Sequence, residues 1–241
     1  MTDPLLILFA SQTGNAGKTM LAVATAIQLE KNNHRTVLID ADTEHRRLGW
    51  SSHTWAERRQ QMQPHLDCYT SAAADNGDHV AQIIDENMDA RFIIIDCASR
   101  AAGTTLKLAA IADLTVFPIP TGEKDLQLSR NTIKAMFKGS ERIPPLEPEQ
   151  LAIVPTRAHT IPEWKASRQW LLDNCPHPER LVIHPPLLER PAYANAMSRG
   201  LAITETPYDD LSESARTIIA SIIDQANVIK PTALKKLEAA A

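Results

Sequence analysis

The chain has 241 residues, 44% of them hydrophobic and 22% charged, and its formal net charge is −4 at pH 7. This length suits one α/β domain of ordinary size, and the hydrophobic content is sufficient for a sizeable core. The acidic balance argues against a uniformly basic nucleic-acid-binding protein, but it leaves room for a local basic patch.

The first predicted element is a strand over residues 5–10, a continuous apolar run typical of a strand buried on both faces of a parallel sheet. A helix is predicted from Lys18 onward, where the apolar residues take on helical spacing. Between the two, residues 11–17 are mostly small or turn-forming. A loop of this kind wraps its backbone N–H groups around phosphates, and the helix N-terminus adds partial positive charge. Lys18 would then reach the β- and γ-phosphates, and the Thr19 hydroxyl would hold Mg²⁺.

The usual phosphate-loop pattern begins with a glycine, and Gln12 stands at that position. The alternative is therefore an ordinary strand–turn–helix with a chance Gly-Lys-Thr sequence. The buried strand before the loop and the helix after it favour the phosphate-binding interpretation, since they are the context that the motif requires.

Acidic residues follow two further predicted strands. Residues 35–40 form the second strand and lead into Asp40, Asp42 and Glu44, and residues 91–96 form the third strand and end in Asp96. Ligands of open α/β sheets bind beyond the carboxyl ends of the strands, so we expect these carboxylates to face the glycine-containing loop. Asp96 ends a Walker B pattern and would hold Mg²⁺ through water. For Asp40 and Asp42 the alternative is a strand end with solvated acids.

Residues 45–59 combine four arginines with Trp50 and Trp55. We predict a surface helix whose tryptophans cover the sheet. The role of the arginines stays open between a switch helix, a partner surface and a patch for DNA phosphates. Residues 60–77 have mixed polarity and a weak period, so no function is assigned to them.

The rest of the chain continues to alternate between strands and helices. Helices are predicted over residues 78–89, 104–112, 125–137, 164–172 and 208–226, strands over 114–119, 151–155 and 181–184, and a proline-containing surface loop over 139–149. The predicted fold class is α/β, a doubly wound and mostly parallel sheet flanked by helices. Residues 1–226 would form a single domain, and residues 227–241 a tail.

The loop after the first strand also resembles the deviant Walker A motif of the ParA/MinD family of P-loop NTPases, written K-G-G-x-G-K-[ST]. Thr13 stands where the family has its signature lysine, and Asn15 stands where it has a second glycine. Asn is the non-glycine residue best suited to a left-handed backbone, so this second change is mild. The matching positions are Gly14, Gly17, Lys18 and Thr19. The resemblance covers roughly residues 4–225 and is nearest to the plasmid-partition ParA proteins.

This resemblance implies a slow, partner-stimulated ATPase that binds ATP and Mg²⁺. Asp40, with Asp42 and Lys18, is implied in catalysis, Asp40 positioning or activating the attacking water. The metal would be held by Thr19, Asp96 and Asp40. The nucleotide would be held by Gly14, Asn15, Ala16, Gly17, Lys18, Thr19 and Met20, with Thr156 and Arg157 beside the adenine.

The resemblance further implies an ATP-dependent homodimer that binds DNA non-specifically and works with a ParB-like adaptor on a plasmid cargo. In the family the signature lysine contacts the nucleotide of the partner subunit, so Thr13 puts that contact in doubt. We hypothesise that Lys124, predicted in a loop at the nucleotide end of the sheet, replaces it in trans; the alternative is a solvated lysine. Candidate DNA-binding residues are Arg190, Arg199, Lys230, Lys235 and Lys236.

Two alternatives stay open. In the first, the same kind of ATPase positions a protein cargo or a conjugation complex. In the second, the chain is a weakly hydrolysing nucleotide-binding scaffold. We expect no membrane binding, because the last ten residues contain no Phe, Trp or Ile. No signal-peptide pattern and no apolar run of transmembrane length are present in the sequence, so we expect a cytoplasmic, nucleoid-associated protein.

Overall fold

A computed structural model of the protein describes residues 3–62, 69–99, 102–141, 143–178 and 182–229. Within these residues, parallel strands form a seven-stranded sheet. The strands are β1 (Leu5–Phe9), β2 (Thr36–Ala41), β3 (Tyr69–Ala73), β4 (Phe92–Cys97), β5 (Leu114–Pro120), β6 (Leu151–Ala158) and β7 (Leu187–Leu188). Their order across the sheet is β3-β2-β4-β1-β5-β6-β7.

Helices connect these strands and cover both faces of the sheet. They are α1 (Lys18–Lys31), α2 (Thr43–Arg47), α3 (Ser52–Met62), α4 (Gly77–Glu86), α5 (Ala102–Ile111), α6 (Glu123–Lys138), α7 (Ile161–Asn174), α8 (Pro191–Ser198) and α9 (Asp209–Val228). Two short 3₁₀ turns lie at Pro148–Gln150 and Ile203–Glu205. The predicted fold class, a doubly wound parallel sheet flanked by helices, is confirmed.

The core lies in two layers because successive side chains of a strand point to opposite faces. In β1, Leu6 and Leu8 belong to the layer formed with α4, α5, α6 and α7. Leu5, Ile7 and Phe9 belong to the opposite layer, formed with α1, α3, α8 and α9. All five side chains are fully buried, which explains why the strand reads as an unbroken apolar run.

The segment after β2 differs from its prediction. Residues 45–59 form the end of α2, a turn and most of α3 rather than one helix. Trp55 is buried against the core, as predicted, but Trp50 lies in the turn and its exposed fraction is 66%. Only one of the two tryptophans therefore covers the sheet.

Other local predictions need correction as well. The strand β3 falls within residues 60–77, for which no strand was predicted from the weak sequence pattern. The predicted strand over residues 181–184 is wrong for its described part, where Val182 forms only an isolated bridge with Ile153 and the strand lies at Leu187–Leu188 instead. Lys124 lies in the first turn of α6 and not in a loop.

An ion-pair cluster fastens the far end of α3 to the rest of the domain. The side chain of Arg59 is 2% exposed and donates to both carboxylate oxygens of Glu205, at 2.7 and 3.0 Å, and to the Gly200 carbonyl at 3.1 Å. Lys31, at the end of α1, contacts the same carboxylate at 2.8 Å. This cluster holds α1, α3 and the turn at Ile203–Glu205 together.

Parallel strands bring their carboxyl ends to one edge of the sheet. Asp40 at the end of β2 pairs in register with Asp96 at the end of β4, and Asp96 pairs in register with Phe9 of β1. The loop that follows β1 therefore begins beside both aspartates. This edge is where the predicted site residues meet.

Candidate functional site

The loop between β1 and α1 has the backbone geometry of an anion cradle. Asn15 has a φ of 58° and Gly17 a φ of 93°, so both residues occupy the left-handed region. Gly17 is also the N-cap of α1 and supplies no side chain to the first N–H groups of the helix, which stay available to an anion. A Cβ at Gly17 would meet only ordinary van der Waals neighbours, so the positive φ is what requires glycine here.

Neighbouring strands hold this loop in place. The Thr156 hydroxyl of β6 donates to the Ala16 carbonyl at 2.9 Å, in a fully buried hydrogen bond. On the other side, the Ser99 hydroxyl donates to the Thr13 carbonyl at 3.4 Å. The loop is thus clamped between the segments that follow β4 and β6.

Lys18 and Thr19, the first two residues of α1, meet the segment after β4. The Lys18 ammonium donates to the Ser99 hydroxyl at 2.5 Å, and the Thr19 hydroxyl donates to Asp96 Oδ2 at 2.9 Å. Burial lowers the pKa of Lys18 below its usual value, and the carboxylates of Asp96 and Asp42 partly oppose this shift. A buried ammonium group with two carboxylates nearby can exchange its present contacts for contacts with phosphate oxygens.

The environment of Asp96 fits a divalent cation. Burial raises the pKa of this carboxyl to about 7, against the opposing effect of Lys18, and Asp40 adds to the rise. Its Oδ1 is buried and accepts no well-formed hydrogen bond from the described residues, although the buried Ser52 hydroxyl lies near the carboxylate. A carboxylate next to a threonine hydroxyl is the oxygen chemistry that Mg²⁺ prefers.

The two aspartates after β2 are organised by backbone N–H groups. Asp40 is fully buried; its Oδ1 accepts from the Asp42 N–H at 2.9 Å and its Oδ2 from the His53 N–H at 3.2 Å. Asp42 caps α2 by accepting from the His45 N–H at 3.0 Å, and its second oxygen lies 2.7 Å from His45 Nδ1. Among the described residues, no hydrogen bond joins Asp40 to Thr19 or Asp96.

A cavity of about 720 Å³ opens over the start of α1. Its floor is the loop and the first turn of α1, and its walls are the turn between α2 and α3, the ends of β6 and β7, and α8. Arg157, with a φ of 60°, lies in the wall and donates to Glu189 at 2.9 and 3.3 Å. The lining also includes the apolar side chains of Leu48, Trp50 and Met197. The volume and mixed lining suit a ligand of nucleotide size.

A comparison with protein families decides the family. The family model described as the CobQ/CobB/MinD/ParA nucleotide-binding domain matches residues 7–203. The chain belongs to this family. The matched span runs from within β1 through β7 and contains every residue of the cavity, so the family identity and the geometry of the site agree.

Solved structures share the fold of this family member at low sequence identity. MinD from Aquifex aeolicus is 14% identical, with 91% of this chain and 97% of that chain covered and a TM-score of 0.65. McdA from Cyanothece, solved as a variant in complex with ATP, is 16% identical, with 92% and 97% covered and a TM-score of 0.66. ParA of pNOB8, solved bound to nonspecific DNA, is 12% identical, with 92% and 99% covered and a TM-score of 0.59. The chain has no significant match among curated proteins.

The structure brings most of the predicted nucleotide-site residues together. Those that line the cavity are Asn15, Ala16, Gly17, Lys18, Thr19, Met20, Asp42, Thr156 and Arg157. Gly14 lies in the same loop, and Asp40 and Asp96 lie at the adjoining strand ends. In the described part of the chain, no helix combines the length and apolar character needed to cross a membrane.

The other predicted residues are more scattered. Lys124 is exposed near the start of α6, Arg190 precedes α8 and lines the cavity, and Arg199 is exposed after α8. The positions Lys230, Lys235 and Lys236 lie outside the described residues. Sequence reasoning missed the parts played by Ser99, His45, Glu189 and Trp50. Of these, Ser99 had a local signal, since it follows Asp96 by three positions.

Proposed function

We propose that this family member is a ParA-like ATPase that binds ATP and Mg²⁺, dimerises on ATP, and positions or segregates a DNA cargo such as a plasmid with the help of an adaptor protein. The observation that carries the proposal is the contact between Thr19 and Asp96, with Lys18 buried beside it beneath a cradle of backbone N–H groups. Hydroxyl, carboxylate, ammonium and N–H groups are the set that phosphoryl transfer requires.

Each of these residues has a distinct task in ATP hydrolysis. The N–H groups of the loop and the Lys18 ammonium bind and orient the phosphates. Thr19 and Asp96 would hold Mg²⁺, which neutralises charge on the β- and γ-phosphates when it is bound. Asp40 fixes the segment after β2 through its two backbone hydrogen bonds, and Asp42 extends that segment to the cavity. The rate enhancement then comes from positioning of the reacting groups and from charge neutralisation, since phosphoryl transfer requires little covalent chemistry from the protein.

Thr13 bears on how the dimer would form. Its hydroxyl oxygen is buried and without a hydrogen-bond partner among the described residues, and the side chain is short. It therefore cannot extend to the nucleotide of a second subunit. The exposed Lys124 lies at the start of α6, which follows β5 directly. Thr121, just before α6, donates its backbone N–H to the Thr156 carbonyl at 3.1 Å. Lys124 therefore lies at the edge of the sheet that carries the proposed nucleotide site. We assign the cross-subunit contact to Lys124.

DNA binding is proposed from the basic residues beside α8 and in the tail sequence, and from the pNOB8 ParA structure bound to nonspecific DNA. Arg190 and Arg199 flank α8, and Lys230, Lys235 and Lys236 belong to the tail. A few such contacts are enough for non-specific binding, because phosphate neutralisation supplies its free energy. The net charge of −4 is therefore no obstacle.

The test is to measure ATP binding, ATP turnover and sedimentation together, with and without plain duplex DNA. The wild type is compared with Lys18→Ala, and Lys165→Ala on the exposed face of α7 is the matched control. We expect ATP-dependent dimers that bind DNA in a salt-sensitive way, and turnover that is lost only in Lys18→Ala. A wild type that binds no ATP would overturn the proposal. Nucleotide binding without dimers or turnover would instead identify a nucleotide-binding scaffold.

A further inference from the structure

The side chain of Ser99 connects Lys18 to the loop that precedes α1. Its oxygen accepts a hydrogen bond from the Lys18 ammonium at 2.5 Å, and its hydroxyl makes a longer hydrogen bond to the Thr13 carbonyl at 3.4 Å. The backbone of Thr13 is held in turn, since its N–H donates to the hydroxyl of the fully buried Ser11 at 3.2 Å. A hydroxyl has one proton, so donating it to the loop leaves a lone pair for the ammonium.

The Lys18 ammonium has few other partners. The residue is 6% exposed, and among the described residues Ser99 is the only hydrogen-bond partner of its ammonium. Asp96 and Asp42 act on Lys18 through their charge, but in the described part of the chain neither carboxylate forms an ion pair with it. An ammonium carries three protons, so two can bind phosphate oxygens while the third stays on Ser99. The contact with Ser99 is therefore compatible with a bound nucleotide.

One short segment at the end of β4 thus positions two neighbouring residues of α1. Asp96 accepts from the Thr19 hydroxyl at 2.9 Å, and Ser99, three positions later, holds Lys18. An unrestrained lysine side chain samples many rotamers, and immobilising it when a ligand binds reduces the affinity. Holding the ammonium in place beforehand removes part of that loss.

We propose that Ser99 is a positioning residue for nucleotide binding, which fixes the Lys18 ammonium before the phosphates arrive and keeps it oriented afterwards. This inference rests on the proposed ATPase function. Alanine at position 99 would leave the ammonium without its hydrogen-bond acceptor, whereas threonine would keep the hydroxyl. Ser99 is only partly buried, so Ser99→Thr is the conservative variant that separates loss of the hydroxyl from a change of shape.

The first measurement is the affinity for a fluorescent ATP analogue in the wild type, Ser99→Ala and Ser99→Thr. Ser221→Ala is the matched control, because the Ser221 hydroxyl donates to Thr217 within α9 and the residue does not line the cavity. We expect Ser99→Ala to raise the Kd roughly 3- to 10-fold, the effect of immobilising one flexible side chain. Ser99→Thr and Ser221→Ala should keep the wild-type Kd. Wild-type affinity in Ser99→Ala, or an equal loss in Ser99→Thr, would overturn the inference.

The second measurement shows whether Ser99 acts through Lys18, and it needs no nucleotide. Urea unfolding of the wild type, Ser99→Ala, Lys18→Ala and the double variant gives a double-mutant cycle. Since Ser99 accepts from a charged group, Ser99→Ala should raise the unfolding equilibrium constant roughly 10-fold when Lys18 is present, and much less in the Lys18→Ala background. Equal effects in the two backgrounds would contradict the inference. A wild type that binds no ATP would overturn the ATPase proposal itself, whereas the cycle fails independently if Ser99 does not hold Lys18.

Discussion

Replacing Glu205 with Gln should remove a large part of the stability of the domain. Burial raises the pKa of the Glu205 carboxyl, but hydrogen bonds from Arg59, Lys31 and the Ala202 N–H, together with the charge of Arg59, hold it at about 2, below its usual 4.5. A shift of this size corresponds to about 3 kcal/mol of stabilisation at pH 7, at 1.36 kcal/mol for each pKa unit. The loss agrees with the cost of leaving a buried charge such as Arg59 without its partner.

The direction in which the stability contribution of Glu205 changes with pH follows from the direction of its pKa shift. Because the pKa of Glu205 is lower in the folded state, its contribution is fully present above about pH 4.5 and is lost as the pH falls toward 2. The difference in unfolding free energy between wild type and Glu205→Gln should therefore shrink from about 3 kcal/mol at pH 7 to about 2 kcal/mol at pH 3.5.

Urea unfolding at both pH values measures this difference. The matched control is Glu189→Gln, since Glu189 pairs with Arg157 at the surface, where the two side chains are 39% and 43% exposed. An exposed pair of this kind contributes about 1 kcal/mol or less. The reasoning would be refuted if the loss of unfolding free energy in Glu205→Gln did not depend on pH. It would also be refuted if that loss were no larger than the loss in Glu189→Gln.

Three further predictions concern the site. Gly17→Ala should lower stability by about 1 kcal/mol or more and weaken nucleotide binding, because a φ of 93° is costly for alanine. Asn15→Gly should keep both the stability and the nucleotide affinity of the wild type. Thermal melts measure the stability, and titration with ATP measures the affinity. Trp50 lines the cavity with 66% exposure, so ATP should change the intrinsic fluorescence of the wild type, and a Trp50→Phe variant that keeps the whole change would contradict the expectation that a bound nucleotide reaches this side chain. Lys124→Ala should bind ATP normally but lose ATP-dependent dimers in sedimentation, and dimers at wild-type strength would rule out its assigned cross-subunit contact.

The elements that sequence reasoning found are those with a strong local pattern. The strands β1 and β4 read as unbroken apolar runs because both of their faces are buried. β3 was missed because it lies at the edge of the sheet, and its sequence Tyr-Thr-Ser-Ala-Ala contains no such run. Its position depends on pairing with β2, which is a tertiary contact and leaves no periodicity in the chain.

The candidate site divides in the same way. Lys18, Thr19 and Asp96 were predictable, since each adjoins a strand or helix that the sequence marks clearly. The role of Glu189 depends on which residue lies opposite, namely Arg157 near the end of β6. Spacing along the chain does not contain that information. For the same reason, the sequence did not distinguish the buried Trp55 from the exposed Trp50.

The segment between β2 and α3 is fastened at both ends. Asp40 accepts hydrogen bonds from the backbone at the start of this segment and at the N-terminus of α3. Near the other end of α3, Arg59 pairs with Glu205. Residues 43–51 lie between these two attachments, and Arg46 in this stretch pairs with Asp75 beyond β3. This stretch also carries the exposed Leu48 and Trp50, which line the cavity. On the proposed function, a second protein that contacts these few residues would therefore touch the wall of the nucleotide site itself.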